Sequence, residues 1–100
     1  MLCLSAIIPF INKITHIMDW NGNKESINRE FEFGNFREAI AFVNKVADAA
    51  ELNDHHPDIL IHAYRKVTIS LTTHDQGKVT LKDVKLAEII DEIYDLGRER

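Results

Sequence analysis

Residues 57–74 read Pro57-Asp58-Ile59-Leu60-Ile61-His62-Ala63-Tyr64-Arg65-Lys66-Val67-Thr68-Ile69-Ser70-Leu71-Thr72-Thr73-His74. Ile59, Ile61 and Ala63 alternate with Leu60, His62 and Tyr64, and after Arg65-Lys66 the residues Val67, Ile69 and Leu71 alternate with Thr68, Ser70 and Thr72. Two runs of period two, joined this closely, predict an antiparallel hairpin with one apolar face. Matching those faces sets Val67 opposite Ala63, Ile69 opposite Ile61 and Leu71 opposite Ile59, and carries His56 opposite His74. The turn from Tyr64 to Lys66 has no Gly, so its type stays open, and a slip of one residue would exchange the faces.

Upstream, Ile27, Arg29, Phe31 and Phe33 alternate with Asn28, Glu30 and Glu32, which predicts another half-buried strand and a candidate sheet edge. Asn21-Gly22-Asn23 is turn chemistry, so a short strand is expected to end at Trp20 and the next to begin near Ser26. Asn35 with Glu38 forms a capping box ahead of Phe36, Ala39, Ile40, Val43, Val46, Ala47 and Ala50, a helical stripe reaching about Leu52. Asn53 suits a left-handed helix stop, and Pro57 forces His56 into extended geometry, so a strand starts near Pro57.

Downstream, Asp75-Gln76-Gly77 turns the chain. Thr80 with Asp83 then caps a helix marked by Leu81, Val84, Ala87, Ile90 and Tyr94. At the start of the chain Ile7, Ile11, Ile14 and Met18 recur at helical spacing around Lys13 and His16, predicting a helix from about Pro9 to Met18. The order α-β-β-α-β-β-α over one domain, residues 1–100, predicts an α+β fold: an antiparallel sheet covered on one face by helices.

Twelve Lys and Arg against sixteen Asp and Glu give a net charge of -4. The basic residues are scattered, which argues against a nucleic-acid groove. The apolar stretch Met1 to Ile11 is too short to span a bilayer and lacks a basic start, so it reads as part of the domain rather than as a membrane or targeting segment. Cys3 is the only cysteine, which excludes an internal disulfide and fits a reducing, cytoplasmic setting. One hundred residues bury a modest core, so a homo-oligomer is expected.

His55, His56, His62 and His74 fall within twenty residues of one another, and His55-His56 and His74 lie at the same end of the predicted hairpin. Imidazole titrates near neutral pH, so a shared patch of this kind is a candidate acid/base site. His16 and His62 read as ordinary polar positions, and Asp83 as a helix cap. A zinc reading would use His55, His56, His62 and His74 with Asp54 or Asp58. It is the weaker reading, because adjacent residues of an extended chain point in different directions. Ser70 and Thr72 lie on the His74 side, but nothing marks either as an activated nucleophile. Gly22, Gly34, Gly77 and Gly97 are too widely separated for a phosphate loop or a dinucleotide fingerprint.

The string Glu51-Leu52-Asn53-Asp54-His55-His56-Pro57, then Tyr64, then Thr72-Thr73-His74-Asp75, then Asp83, resembles the pterin-4a-carbinolamine dehydratase family. The likeness extends upstream through Arg29-Glu30-Phe31-Glu32-Phe33 and Phe36 and covers about residues 20 to 94. It departs from the family at Lys78, where a second Gly is frequent, and at Ile8 and Pro9, where an acidic helix start is frequent.

The resemblance implies a four-stranded antiparallel sheet with three helices on one face, assembled as homodimers or homotetramers. It implies dehydration of 4a-hydroxytetrahydropterin to quinonoid dihydropterin in tetrahydrobiopterin recycling, with no metal and no organic cofactor. On matching positions it implies His55, His56 and His74 as catalytic. His56 and His74 would form the acid/base pair, and His55, Glu51 and Asp75 would contact the pterin. The alternative it carries is a non-enzymatic role as a dimerisation or assembly cofactor of a transcription factor, without direct nucleic-acid or membrane contact.

Overall fold

The computed structural model describes residues 19–98. Along the chain come β1 (Asn21–Gly22), β2 (Ile27–Glu32), α1 (Phe36–Leu52), β3 (Asp58–His62), β4 (Lys66–Leu71) and α2 (Leu81–Arg98). The strands form one antiparallel sheet in the order β1-β2-β4-β3, so the expected four-stranded α+β architecture is present. The helix expected from Pro9 to Met18 lies outside the described residues. Among those described, no helix is long and apolar enough to cross a membrane.

Alternation along the strands sets the layers. Phe31, Val67, Ile69 and Leu71 are buried against Ala39, Phe42 and Val46 of α1 and Leu86, Ala87 and Ile90 of α2. Asn28, Glu30, Leu60, His62, Lys66, Thr68 and Ser70 occupy the alternate positions, and none of them is buried. Arg29 belongs to the apolar set because Asp91 of α2 is fully buried beneath it. The Arg29 guanidinium donates to Asp91 Oδ1 at 2.6 Å, and Trp20 Nε1 donates to both carboxylate oxygens at 3.0 and 3.1 Å. The guanidinium also lies 4.6 Å from the centre of the Phe31 ring, so its charge has partners on two sides.

The capping box at α1 forms as expected in its first half. Asn35 is extended and its side chain accepts from Glu38 N–H at 2.8 Å; the Glu38 carboxylate accepts from Gly34 N–H at 2.9 Å, one residue earlier than the usual reciprocal bond.

Four expectations are corrected. The short strand is Asn21–Gly22, not a segment ending at Trp20; the reversal lies at Asn23, whose side chain accepts from Glu25 and Ser26 N–H. Gly22 has φ +131°, and a Cβ there would meet Ser26 O at 2.1 Å, so only glycine fits. The left-handed residue after α1 is Asp54 rather than Asn53, which remains helical while its side chain donates to Ala49 O. The Phe31 strand is interior; the edges are β1 and β3. The β3–β4 register pairs Ile59 with Ile69 and Ile61 with Val67, two residues away from the expected pairing. Ala63 and Tyr64 both take positive φ, 49° and 54°, so β3 ends at His62 and β4 begins at Lys66. A shift of two preserves the faces, which is why the apolar match alone did not decide it.

Candidate active site

The end of α1 sets the first histidine. Ala50 O accepts from His55 N–H at 3.1 Å and Glu51 O accepts from Asp54 N–H at 3.3 Å, with Asp54 left-handed between them. This pair of bonds is a Schellman ending, and it fixes the direction in which His55 leaves the helix. Pro57 then keeps His56 extended into β3.

The His55 side chain is largely buried, 12% exposed, and its Nε2 lies 2.6 Å from Oδ1 of Asp83, which is 0% exposed. Asp83 stands in the first turn of α2. Its Oδ2 accepts from Thr80 N–H at 2.8 Å, the expected cap, and also from the Thr73 hydroxyl at 2.7 Å. Burial alone would push the Asp83 carboxyl up. The hydrogen bonds from His55, Thr80 and Thr73, with the charge on His55, outweigh it and hold the group below the ordinary carboxylate range. An ionised Asp83 accepts only, so His55 carries its proton on Nε2 and presents Nδ1 as its exchangeable atom.

The other candidates stand in different surroundings. His56 Nε2 is 2.5 Å from Glu51 Oε2, in a pair whose side chains are 60% and 75% exposed. His74 and Asp75 are exposed in the turn that follows Thr73, and among the described residues the His74 ring has no hydrogen-bond or ion-pair partner. Continuing the β3–β4 register beyond Asp58 and Ser70 sets His56 level with Thr72 and His55 level with Thr73, so the expected opposition of His56 and His74 does not occur. No hydrogen bond joins those two rings among the described residues.

His62 is satisfied by Thr68 Oγ1 at 3.0 Å and faces Glu30 at 3.3 Å, an ordinary polar position as expected. Thr72 Oγ1 donates to Glu25 O at 2.6 Å, which occupies the hydroxyl considered as a nucleophile. Among the described residues no three His, Cys, Asp or Glu side chains are grouped to hold a metal ion. A separate cleft of about 510 Å³, lined in part by Phe33, Phe42, Lys45 and Tyr94, opens at the opposite ends of the helices and contains no histidine.

Sequence reasoning missed Thr73 and gave Asp83 only its capping role. A signal for Asp83 was present: it falls on the stripe of Ala87, Ile90 and Tyr94, a position that turns its carboxylate inward. Thr73 carried a signal as well: it continues the alternation of Val67, Ile69 and Leu71, the buried face of β4, and its partners Thr80 and Asp83 lie seven and ten residues on.

Residues 10–93 match the model of the pterin 4 alpha carbinolamine dehydratase family. A protein of Koribacter versatilis (strain Ellin345), provisionally named a pterin-4-alpha-carbinolamine dehydratase, is 53% identical over 75 residues, 75% of this chain and 79% of its own. One of Cyanothece sp. (strain PCC 7425 / ATCC 29141), named likewise, is 43% identical over 93 residues, 93% of this chain and 95% of its own. Among solved structures, the transcriptional coactivator/pterin dehydratase from Brucella melitensis superposes with a TM-score of 0.73 at 32% identity, covering 85% of this chain and 92% of that one. A pterin dehydratase-like RuBisCO assembly factor of the alpha-carboxysome, at TM-score 0.61 and 21% identity over 75% of this chain and 86% of its own, shares the fold. The family model spans the sheet, α1 and the histidine-bearing segments together, and this chain belongs to the pterin-4a-carbinolamine dehydratase family.

Proposed function

We propose that this protein dehydrates 4a-hydroxytetrahydropterin to quinonoid dihydropterin, with His55, His56 and His74 as the catalytic trio, in the recycling of tetrahydrobiopterin or a related pterin. The observation that carries the proposal is the buried Asp83 carboxylate on His55 Nε2, at the sheet end that also bears His56 and His74. A carboxylate in that position holds the ring in one tautomer and orientation, which proton transfer and substrate positioning both require.

The reaction breaks the C4a–O bond and removes the N5 proton, and the lone pair on N5 drives hydroxide out as the imine forms. The C4a hydroxyl leaves readily only when protonated, so one imidazolium gives a proton to it while a neutral imidazole takes the N5 proton. Water is the second product, and the two rings exchange protonation states. His56 and His74 fit these roles because both are exposed to an incoming substrate. His55, whose Nδ1 has no hydrogen-bond partner among the described residues, contacts the polar edge of the pterin together with Glu51 and Asp75. The reaction as written uses neither a metal nor an organic cofactor.

The test is turnover of freshly generated carbinolamine by the purified protein: acceleration over the uncatalysed dehydration supports the proposal, and a rate equal to background removes it. We further propose a cytoplasmic homo-oligomer. A second reading, a non-enzymatic assembly role, draws on the double name of the Brucella melitensis structure. The presence of all three histidines favours the enzyme.

A further inference from the structure

We propose that Thr73 is a positioning residue that fixes His55 and His74 relative to each other, the side chain acting on the first and the backbone on the second. The inference rests on the dehydratase reading for its kinetic consequence, and on geometry alone for the rest.

The direction of each hydrogen bond follows from proton counting. Thr73 Oγ1 has one proton, and its neighbours are Asp83 Oδ2 at 2.7 Å and Thr80 Oγ1 at 2.7 Å. Ionised Asp83 can only accept, so Thr73 donates to it and Thr80 donates to Thr73. Thr80 Oγ1 in turn faces Lys82 N–H at 3.3 Å. The protons therefore run one way, from Thr80 to Thr73 to Asp83 Oδ2, and Oδ1 is left to His55 Nε2–H. Thr73 is buried, so no water replaces its hydroxyl at low cost.

The backbone of the same residue builds the turn that carries His74. Thr73 N–H donates to Lys78 O at 3.1 Å, and Thr73 O accepts from Gln76 N–H at 3.0 Å and Gly77 N–H at 2.9 Å. The β3–β4 ladder ends at Asp58 and Ser70, before either histidine, so ladder hydrogen bonds do not set their spacing. The route from one ring to the other runs His55, Asp83, Thr73, His74, through two hydrogen bonds and one peptide link.

Thr73→Val keeps the shape of the side chain and removes the donor; Thr73→Ser keeps the donor and removes a methyl. Histidine side-chain nitrogen spectra of the free protein read the tautomer directly. The wild type should show His55 with its proton on Nε2. Thr73→Val should show a mixture of tautomers, and Thr73→Ser should restore the single form. The Asp83 carboxyl carbon, titrated in the same samples, should move up toward the ordinary carboxylate range in Thr73→Val only. The other titratable groups around this end of the sheet are Glu51 in the last turn of α1, Asp54 and His56 on the α1–β3 connection, Asp58 at the start of β3, His74, Asp75 and Lys78 in the turn, Lys82 at the start of α2 and Glu25 beside Thr72, and none of them should change between the three proteins. Dehydration by Thr73→Val should fall roughly ten- to a hundredfold in kcat/KM, with Thr73→Ser within a few-fold of wild type.

An unchanged His55 tautomer and Asp83 titration in Thr73→Val would overturn the proposal, as would equal losses in the Val and Ser variants. A tautomer change in a protein with no turnover at all would leave the positioning role standing and remove the dehydratase reading instead.

Discussion

His55 Nε2 and Asp83 Oδ1 are 2.6 Å apart, joining the connection that leaves α1 to the first turn of α2 across 28 positions of sequence. The contact closes the polar end of the helix layer. The three histidines differ in environment: His55 is held by a buried carboxylate, His56 by an exposed glutamate, and His74 stands in a turn with no ring partner among the described residues.

That difference predicts how substitutions divide between stability and rate. His55→Ala leaves a buried carboxylate without one of its donors and should cost about 1–3 kcal/mol of stability. His56→Ala and His74→Ala alter exposed side chains and should stay within about 0.5 kcal/mol of wild type. All three should lower the dehydration rate by roughly 10² to 10⁴. Denaturant unfolding beside turnover, with circular dichroism as the folding control, checks the pattern; a stable His55→Ala variant would contradict it.

Asp83 makes stability depend on pH. Its folded pKa lies below its unfolded value, so its contribution is present above the ordinary carboxylate range and is lost as pH falls through the folded value. Asp83→Asn should therefore be less stable near neutrality, and the gap to wild type should narrow as both are acidified below about pH 4. Unfolding free energies measured across that interval give the slope; a constant gap would assign the destabilisation to packing.

The edge of β3, unpaired among the described residues, is the surface on which the expected oligomer can be tested. Its central residue Leu60 is 59% exposed. Lysine is a common guard of exposed strand edges. If the protein assembles through this edge, Leu60→Lys should sediment as a monomer at micromolar concentration while the wild type does not. A monomeric wild type would refute the homo-oligomer.

Asp91, like Asp83, is a fully buried carboxylate. Replacing Asp91 with Ala would leave the Trp20 N–H without its acceptor and the Arg29 guanidinium with only the looser Asp19 carboxylate at 3.9 Å, and should cost about 3–5 kcal/mol. Loss of that contact should also change tryptophan fluorescence, for which Trp20 is the only reporter. A native-like melting temperature for Asp91→Ala would show that the pair contributes little.

The sequence by itself determined the elements and their faces. Period two in residues 59–71, helical stripes after Asn35 and Thr80, and the His-Pro break at residues 56–57 are local patterns, and local backbone geometry alone turns them into strands, helices and ends. The clustering of His55, His56 and His74 at one end of a hairpin was legible for the same reason. Only the tertiary structure decided the register, because the two left-handed residues Ala63 and Tyr64 carry no glycine signal and a shift of two leaves every face unchanged. The stripe position of Asp83 signalled an inward carboxylate, and only the tertiary structure supplied the donors that make Asp83 and Asp91 buried anchors. A buried carboxylate is stable where donors meet it, and those donors, His55 and Thr73 for one and Trp20 and Arg29 for the other, come from segments that lie together only in the folded chain.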